Sequence, residues 1–478
     1  VIVLSACFSS CKKDKLLTDS SAKVDFSADS VLFDTVFTTI GSATRHIRVI
    51  NNHDQKIKIS SINLQQSNSQ FILNVDGAKG NSFSDIEIAA HDSLYIFIQV
   101  NVNPTNQNSP LIISDAIQFN VNGNQQNVYL EAWGQDAYYH KPTNAIKFVN
   151  GGYLAYTLIA PGTNTTVTWN NDKPHVIYGW LVVDSTQTLI INPGVKVHFH
   201  QNAGLWVYRY GTLKVKGALN NEVVFQGDRL EPYMQDIPGQ WDRIWINEGS
   251  LNNEIDYAII KNGFIGVQAD LFSLDFSEPR RLKITNTVIR NMSKWGLYGL
   301  GAYIYGGNNI IANCKEYCGY FILGGRYRFI HTTFANYWTN DSRTTPCVLV
   351  NNHTDVQTLP LDTCYFGNCI IYGSTTGELS LDFNSSAQPL NYTFSNCVIR
   401  SDLTNSGTNY IDNRFNTDPG FTDPAIYNFE LGNSAAATNF TTTGSLNNAA
   451  LFPYDIKNKG RTSAAGGDNF PDAGAIEK

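Results

Sequence analysis

The chain has 478 residues, too many for one ordinary hydrophobic core, so two or three domains are expected. A hydrophobic content of 42% excludes bulk disorder. A net charge of −7 argues against a nucleic-acid partner, which needs a basic surface, and against a polyanion held by charge alone. Only 16% of residues are charged. The abundant Asn, Gly, Thr and aromatic residues suit an exported β-protein, with Asn and Gly in turns and β-branched and aromatic residues in strands.

In chain order, Val1-Ile2-Val3-Leu4 reads as the end of a signal-peptide apolar region. Leu4-Ser5-Ala6-Cys7 and Phe8-Ser9-Ser10-Cys11 both resemble the lipobox cut by a lipoprotein signal peptidase. Cys7 lies in the better box, but Cys11 is better placed, because charged Lys12-Lys13-Asp14 follows it directly. Cys11 is therefore the expected lipidation site, with Cys7 as the alternative, and acylation there would anchor the chain to a membrane. Residues 1–23 form the leader, lipobox and tether. No later segment approaches the roughly 20 apolar residues of a membrane-spanning helix.

Residues 24–137 alternate apolar and polar side chains over short runs, such as His46-Ile47-Arg48-Val49-Ile50 and Leu94-Tyr95-Ile96-Phe97-Ile98-Gln99-Val100. Asn122-Gly123 between two such runs predicts a hairpin turn. About seven strands of this kind predict an immunoglobulin-like β-sandwich, without the Cys–Trp–Cys core of antibody domains.

Residues 138–478 are different. Strands such as Leu189-Ile190-Ile191, Gly204-Leu205-Trp206-Val207 and Val223-Val224-Phe225 follow one another at short intervals without hairpin returns. A repeat then emerges: Ile259-Ile260-Lys261-Asn262, Val288-Ile289-Arg290-Asn291 and Ile310-Ile311-Ala312-Asn313. Thr333-Phe334-Ala335-Asn336, Asn368-Cys369-Ile370-Ile371 and Asn396-Cys397-Val398-Ile399 extend it. Asn-to-Asn spacings of roughly 22 to 32 residues suit one coil of a right-handed parallel β-helix, with Asn at the bend bonding the neighbouring coil. The fold class is thus all-β, an immunoglobulin-like sandwich followed by a right-handed parallel β-helix. Cys369 and Cys397 occupy equivalent places 28 residues apart and predict a buried thiol ladder. The pairing of Cys314, Cys318, Cys347 and Cys364 is left open.

Asn192-Pro193-Gly194-Val195-Lys196-Val197, Gly211-Thr212-Leu213-Lys214-Val215-Lys216-Gly217 and Gly239-Gln240-Trp241-Asp242-Arg243-Ile244 resemble the opening coils of right-handed parallel β-helix lipoproteins of the Bacteroidota. Ser93-Leu94-Tyr95 and Gly134-Gln135-Asp136-Ala137 are similar to their N-terminal sandwich, and Asp418-Pro419-Gly420-Phe421 and Tyr427-Asn428-Phe429-Glu430-Leu431 to their last coil. Pro471-Asp472-Ala473-Gly474-Ala475-Ile476-Glu477 resembles the D-x-G-A-x-E ending of many β-helix surface proteins. The resemblance implies the fold and an envelope location. It implies no activity, because β-helices carry enzymes, adhesins and scaffolds alike.

Two clusters are candidates for chemistry. Asp270 to Glu278 with Arg280, Arg281 and Lys283, flanked by Asp256, Lys261 and Arg290, is the densest charged region. Glycoside hydrolysis needs converging carboxylates, but the paired-Asp and Gly-His-Gly phrases of polygalacturonase-like enzymes and the pectate-lyase motifs are missing, and charges here read as solvated loops. The second cluster joins Trp295, Tyr298, Tyr303, Tyr305, Arg326, Arg328, His331 and Trp338, with Tyr317 and Tyr337 near, as a ligand-binding set. Aromatic faces stack on sugar rings and Arg bonds their hydroxyls; the competing reading puts several of these rings in the core. His198 and His200 share one strand face but lack a third ligand, so no metal is expected. With no nucleophile elbow and no phosphate-cradling Gly loop, no catalytic residue and no cofactor are assigned. The expectation is an outer-membrane surface lipoprotein that binds a glycan or another envelope protein without catalysis. The alternatives are a pectate-lyase-like polysaccharide lyase or glycoside hydrolase, and a structural subunit of an outer-membrane complex.

Overall fold

The computed structural model describes residues 15–38, 41–103, 111–149, 151–250, 252–270, 282–403, 407–432 and 435–478. The two lipobox cysteines, Cys7 and Cys11, lie outside the described residues. The chain divides into two compact units, one running to Ala137 and including Leu230–Pro232, the other made of Tyr138–Arg229 and Tyr233–Lys478. Both are built from strands, and the fold class expected from the sequence is the one observed.

Among the described residues the first unit is a sandwich of two five-stranded sheets. One runs Asp25–Phe26, Arg45–Ile50, Ser93–Val100, Phe71–Val75, Ala78–Gly80, and the other Ser30–Phe37, Asn124–Gln135, Leu111–Val121, Ile57–Leu64, Ser82–Ile88. Neighbours are antiparallel except Ser30–Phe37, which pairs parallel with Asn124–Gln135. Alternation sets the buried side: Ile96, Ile98 and Val100 point into the core, while Tyr95 and Phe97 face out. The turn at Asn122-Gly123 has φ of +47° and +87°, the doubly left-handed geometry that two-residue hairpins favour. More strands are present than the roughly seven expected, because short edge strands such as Ala78–Gly80 carry too few residues to show alternation.

The second unit is a parallel β-helix with three stacked faces. Among the described residues the first face contains eleven strands, including His175–Ile177, Ala258–Lys261, Ile310–Ala312 and Ile370–Gly373. The second contains ten, including Gly204–Val207, Ile244–Ile246, Ile265–Asp270 and Trp295–Leu300, and the third ten, including Leu282–Thr285, Tyr303–Gly307, Gly325–Ile330 and Leu361–Gly367. The chain visits the first, second and third face in turn and then returns, one coil further on. Residues in register stack inward as continuous columns, as in Leu205, Ile244, Val267 and Leu297. Toward the C-terminus the column turns aromatic, with Phe366 and Phe394 stacked at 5.0 Å. Each such buried side chain contributes roughly 1.5–3 kcal/mol.

The Asn repeat of the sequence resolves into two corners. Asn262, Asn291 and Asn313 follow the first-face strand, at φ of +65°, +58° and +50°. Asn368 and Asn396 instead precede it, at the corner that also holds Tyr257, Asn286, Asn308, His331 and Asp412, all with φ between +45° and +57°. The two Asn-Cys phrases therefore belong to a different corner from the earlier Asn phrases. Motif spacing alone cannot separate the two ends of a strand only three or four residues long. Amide ladders link the corners: Asn291 Nδ2 donates to Asn262 Oδ1 at 2.8 Å, and Asn308 Nδ2 to Asn286 Oδ1 at 3.0 Å.

The outer side of the first face is covered by the unit's own chain. Asn262 and Asn291 side chains bond the carbonyls of Gln235 and Asp236 in the loop preceding Gln240. Further along, the C-terminal segment lies on the same face. Leu431, Ala437, Phe440 and Ala473 pack on Ile370, Tyr372 and Val398, and Phe429, Ile456, Ala475 and Ile476 on Ile310, Ala312 and Ala335. Helix Thr443–Leu451, N-capped by Thr442, sits beside the Asn corner, where Ser445 and Asn448 bond Asn368. No helix among the described residues is long and apolar enough to cross a membrane.

Three histidines at the start of the first face are held neutral. His140 Nε2 and His175 Nδ1 share a hydrogen bond of 3.0 Å, which requires one ring to accept. Burial pushes His140 and His198 down to about 4 and His175 to about 3. A lowered folded-state value means the unfolded chain takes up protons first, so this stability is complete above pH 6.5 and is lost as pH falls toward 4. Unfolding free energy measured against pH should drop through that window by up to about 1.4 kcal/mol per pH unit for each fully buried ring. His198→Gln should remove one such contribution; an unchanged slope would contradict this assignment.

Candidate functional site

The eight side chains predicted as one ligand-binding set occupy separate places. Trp295 and Tyr298 stand on the outer side of the second face. Tyr303, Tyr305, Arg326 and Arg328 stand on the third face, in register as Tyr303 with Arg326 and Tyr305 with Arg328. There Arg326 Nε donates to Asp362 at 2.6 Å, Arg328 lies 4.7 Å from the Tyr365 ring, and Tyr305 stacks on Phe452 at 6.1 Å. His331 sits in the third-to-first corner with no exposed surface, and burial together with Arg461 holds its ring well below the usual histidine range. Trp338 lies past the first-face strand Thr333–Asn336, 7% exposed, with Nε1 on Asp341 at 2.7 Å. Nearness in sequence does not bring these groups together, because one coil of about two dozen residues passes all three faces.

The charged cluster also disperses. Residues 271–281, including Glu278, Arg280 and Arg281, lie outside the described residues. Asp256 accepts from Thr285 and Asn286 on the third face, where Lys283 lies in the neighbouring coil. Lys261 and Arg290 belong to the first face and contact Gln235 and Asp236. Among the described residues of the cluster, Asp270 alone reaches the second face.

That second face carries the most coherent surface of the β-helix. In-register pairing sets Trp206, Trp245, Gln268, Tyr298 and Tyr320 in one outward row across five coils. At about 4.8 Å per coil the row spans roughly 19 Å. Trp206 and Trp245 stack at 5.0 Å with planes 9° apart, and Trp180 meets both edge-on at 6.5 and 6.1 Å. Trp295 packs 4.6 Å from Tyr298 and 4.5 Å from Tyr320, and Tyr317 stacks on Tyr320 at 4.6 Å. Three of these tryptophan N–H groups are held: Trp206 by Asn247 at 3.0 Å, Trp245 by Asp270 at 2.5 Å, and Trp295 by Glu316 at 2.7 Å.

Polar groups interrupt the row at its middle. Gln268 Nε2 donates to Asp270 Oδ1 at 3.0 Å, and Arg243 Nη1 donates to Gln268 Oε1 at 2.5 Å. Burial raises the Asp270 carboxyl above its ordinary value, against the opposing hydrogen bonds from Trp245 and Gln268. The sequence reading missed Trp180, Trp206, Trp245 and Tyr320. A signal was present: Trp206 sits between inward Leu205 and Val207, and Trp245 between inward Ile244 and Ile246, so alternation points both rings outward. The long connection between these strands hid their register.

His198 bonds the Gly227 carbonyl at 3.1 Å while His200 bonds Asp228 at 2.7 Å. Among the described residues no three His, Cys, Asp or Glu side chains are grouped to hold a metal ion. Cys369 and Cys397 stack in adjacent coils, with Cys369 N donating to Cys397 Sγ at 3.4 Å. Cys314, Cys318 and Cys347 form a second buried thiol cluster, and burial pushes Cys314 and Cys347 upward. All six of these cysteines, Cys364 included, are free and buried.

Sequence comparison with protein families and with curated proteins finds no match. Among solved structures, the PapD-like domain 7 of human CEP192 is similar over 28% of this chain and 96% of its own, at 11% identity and a TM-score of 0.17. A family 123 glycoside hydrolase from Clostridium perfringens is similar over 31% of this chain and 30% of its own, at 8% identity and a TM-score of 0.18. Neither likeness is close enough to carry a function.

With Cys7 and Cys11 replaced by Ser, a thiol reagent should find no rapidly reacting group in the folded chain and all six after denaturation. Fewer than six in denaturant would reveal a disulfide and overturn the free-thiol arrangement.

Proposed function

We propose that the chain is an exported, lipid-anchored protein of the bacterial envelope whose second β-helix face binds a glycan without cleaving it. In this reading the N-terminal unit is an immunoglobulin-like spacer, the anchor is at Cys11, and the protein belongs with the β-helix lipoproteins of the Bacteroidota on the outer surface of the cell. The observation that carries the binding reading is the row from Trp206 to Tyr320. The rings stack on one another in register, so the row offers a sugar chain a continuous apolar strip of ring edges, and Arg243, Gln268 and Asn247 flank it with groups that can bond hydroxyls. The row is as long as a short oligosaccharide, so a chain rather than one ring is the expected ligand.

One observation favours a second reading. Asp270 is 2% exposed and biased toward its protonated form by burial, the state a general acid needs. Hydrolysis would also require a second carboxylate across the bond. Glu248, which raises the Asp270 value further, is half-buried and paired with Arg209 at 3.3 Å.

The test is affinity electrophoresis on a panel of soluble polysaccharides, followed by calorimetry on those that retard the protein. Trp206→Ala and Trp245→Ala should each weaken binding about tenfold or more, some 1.4 kcal/mol. Retardation that both variants leave unchanged would refute this surface. Reducing ends released by the native chain and abolished in Asp270→Asn would replace binding with hydrolysis. For the anchor, an alkyne fatty acid fed to producing cells should label the native chain and the Cys7→Ala variant, but not Cys11→Ala. The reverse pattern moves the anchor to Cys7, and no label in any of the three refutes lipidation. Protease shaving of intact cells should remove the protein if it is displayed outside.

A further inference from the structure

We propose that the β-helix carries a second binding site, a pocket for a single neutral sugar ring between the first-face corner and the C-terminal segment. It is separate from the aromatic row of the second face. The cavity measures about 220 Å³, and the rings of Tyr337, Trp338 and Tyr427 wall it with the amides of Asn291 and Asn313. Asn291 and Asn313 are the left-handed corner residues of adjacent coils, so the backbone fixes both side chains at the edge of the stack.

The orientation of the two amides follows from their bonds. Asn313 Oδ1 accepts from the backbone N–H of Tyr337 at 2.9 Å. Asn291 Nδ2 donates to the Asp236 carbonyl and to Asn262 Oδ1, both at 2.8 Å. That leaves Asn313 Nδ2 as a donor and Asn291 Oδ1 as an acceptor with no partner among the described residues, on side chains only 7% and 2% exposed. Neither atom is sealed from solvent, so both are open to hydroxyls of a ligand in the cavity.

A donor and an acceptor on neighbouring coils match adjacent hydroxyls, and the aromatic walls match the C–H face of a pyranose. No charged side chain lines the cavity, which selects a neutral ligand. The volume falls short of the roughly 300 Å³ at which pockets for larger ligands begin, which limits the occupant to one ring. Arg290 stacks 4.0 Å from the Tyr427 ring and holds that wall in place. The pocket exists only because the C-terminal segment lies on the first face and brings Pro424, Ala425 and Tyr427 over the corner.

Saturation-transfer NMR on the full chain with millimolar glucose, galactose, mannose and N-acetylglucosamine tests the site. At least one sugar should give a signal. Asn313→Asp keeps the oxygen that Tyr337 N–H needs and tolerates the left-handed backbone, but removes the free donor. Ala425→Phe fills the mouth and keeps the one hydrogen bond of Ala425, from its backbone N–H to Asp423. Measured in a Trp206→Ala background, in which the aromatic row is weakened, each should reduce the signal tenfold or more with the thermal midpoint unchanged. In that background, a signal that survives both pocket variants, or no signal from any of the four sugars, would overturn the proposal.

Discussion

From its Asn253–Asp256 strand onward, the β-helix depends on one backbone constraint, the left-handed residue that follows each third-face strand. Tyr257, Asn286, Asn308, His331, Asn368, Asn396 and Asp412 all adopt it, with φ between +45° and +57°. This region costs an L-residue about 1–2 kcal/mol and costs Asn and Asp least, which explains the dominance of Asn. The bend does not interrupt pairing, since Asn286 N–H bonds the Gly307 carbonyl and Asn308 N–H the Ile330 carbonyl of the following coil. Turning at the same place in each coil keeps the register, and a slip by one residue would turn each inward column outward. His331 and Tyr257 hold the same geometry without the Asn advantage, so the stack imposes the conformation at those two positions.

Fixed register decides which surfaces are available. The first face is closed by residues near Gln235 and by the C-terminal segment, and the pin of that segment is a buried ion pair. Arg461, with no exposed surface, donates to Glu477 at 3.0 Å, to Asn308 at 2.9 Å and to the Gly474 and Ala475 carbonyls. Burial drives both partners toward neutrality, lowering Arg461 and raising Glu477 to about 8. Such a pair adds little net stability, yet removing one partner costs about 3–5 kcal/mol. Its bond to Asn308, a corner residue, ties the position of the segment to the register of the stack. The D-x-G-A-x-E ending is this clasp: Glu477 accepts from Asp472 N–H, and Gly474 N–H bonds the Asn368 carbonyl.

What could be read in the sequence follows from the same constraint. Strand alternation, the Asn122-Gly123 hairpin and the Asn-containing repeat are local, and they were enough for the fold. The thiol ladder was legible because Cys369 and Cys397 sit in the same phrase. The candidate site was not. Tyr303 and Trp295 are eight residues apart and stand on different faces, while Trp206 and Trp245 are 39 apart and stack. Connections of variable length between strands decouple distance along the chain from distance in space. Only inward and outward alternation, followed coil by coil, would have found the row.

The same reasoning explains why the second face suits recognition. Packing a sugar against a mobile aromatic ring forfeits about 0.5–1.5 kcal/mol of side-chain freedom for each ring immobilised. Here that freedom is already spent in the fold, because acceptors on Asn247, Asp270 and Glu316 hold three indole N–H groups. Those acceptors lie at or next to the second face and are therefore positioned by the same register that positions the rings. Asp270 illustrates the economy: its carboxyl is confined by Trp245 and Gln268, and Gln268 is in turn held by Arg243. A carboxyl so engaged contributes more by fixing Trp245 than by moving a proton, and the arrangement favours a rigid binding surface over a reacting one.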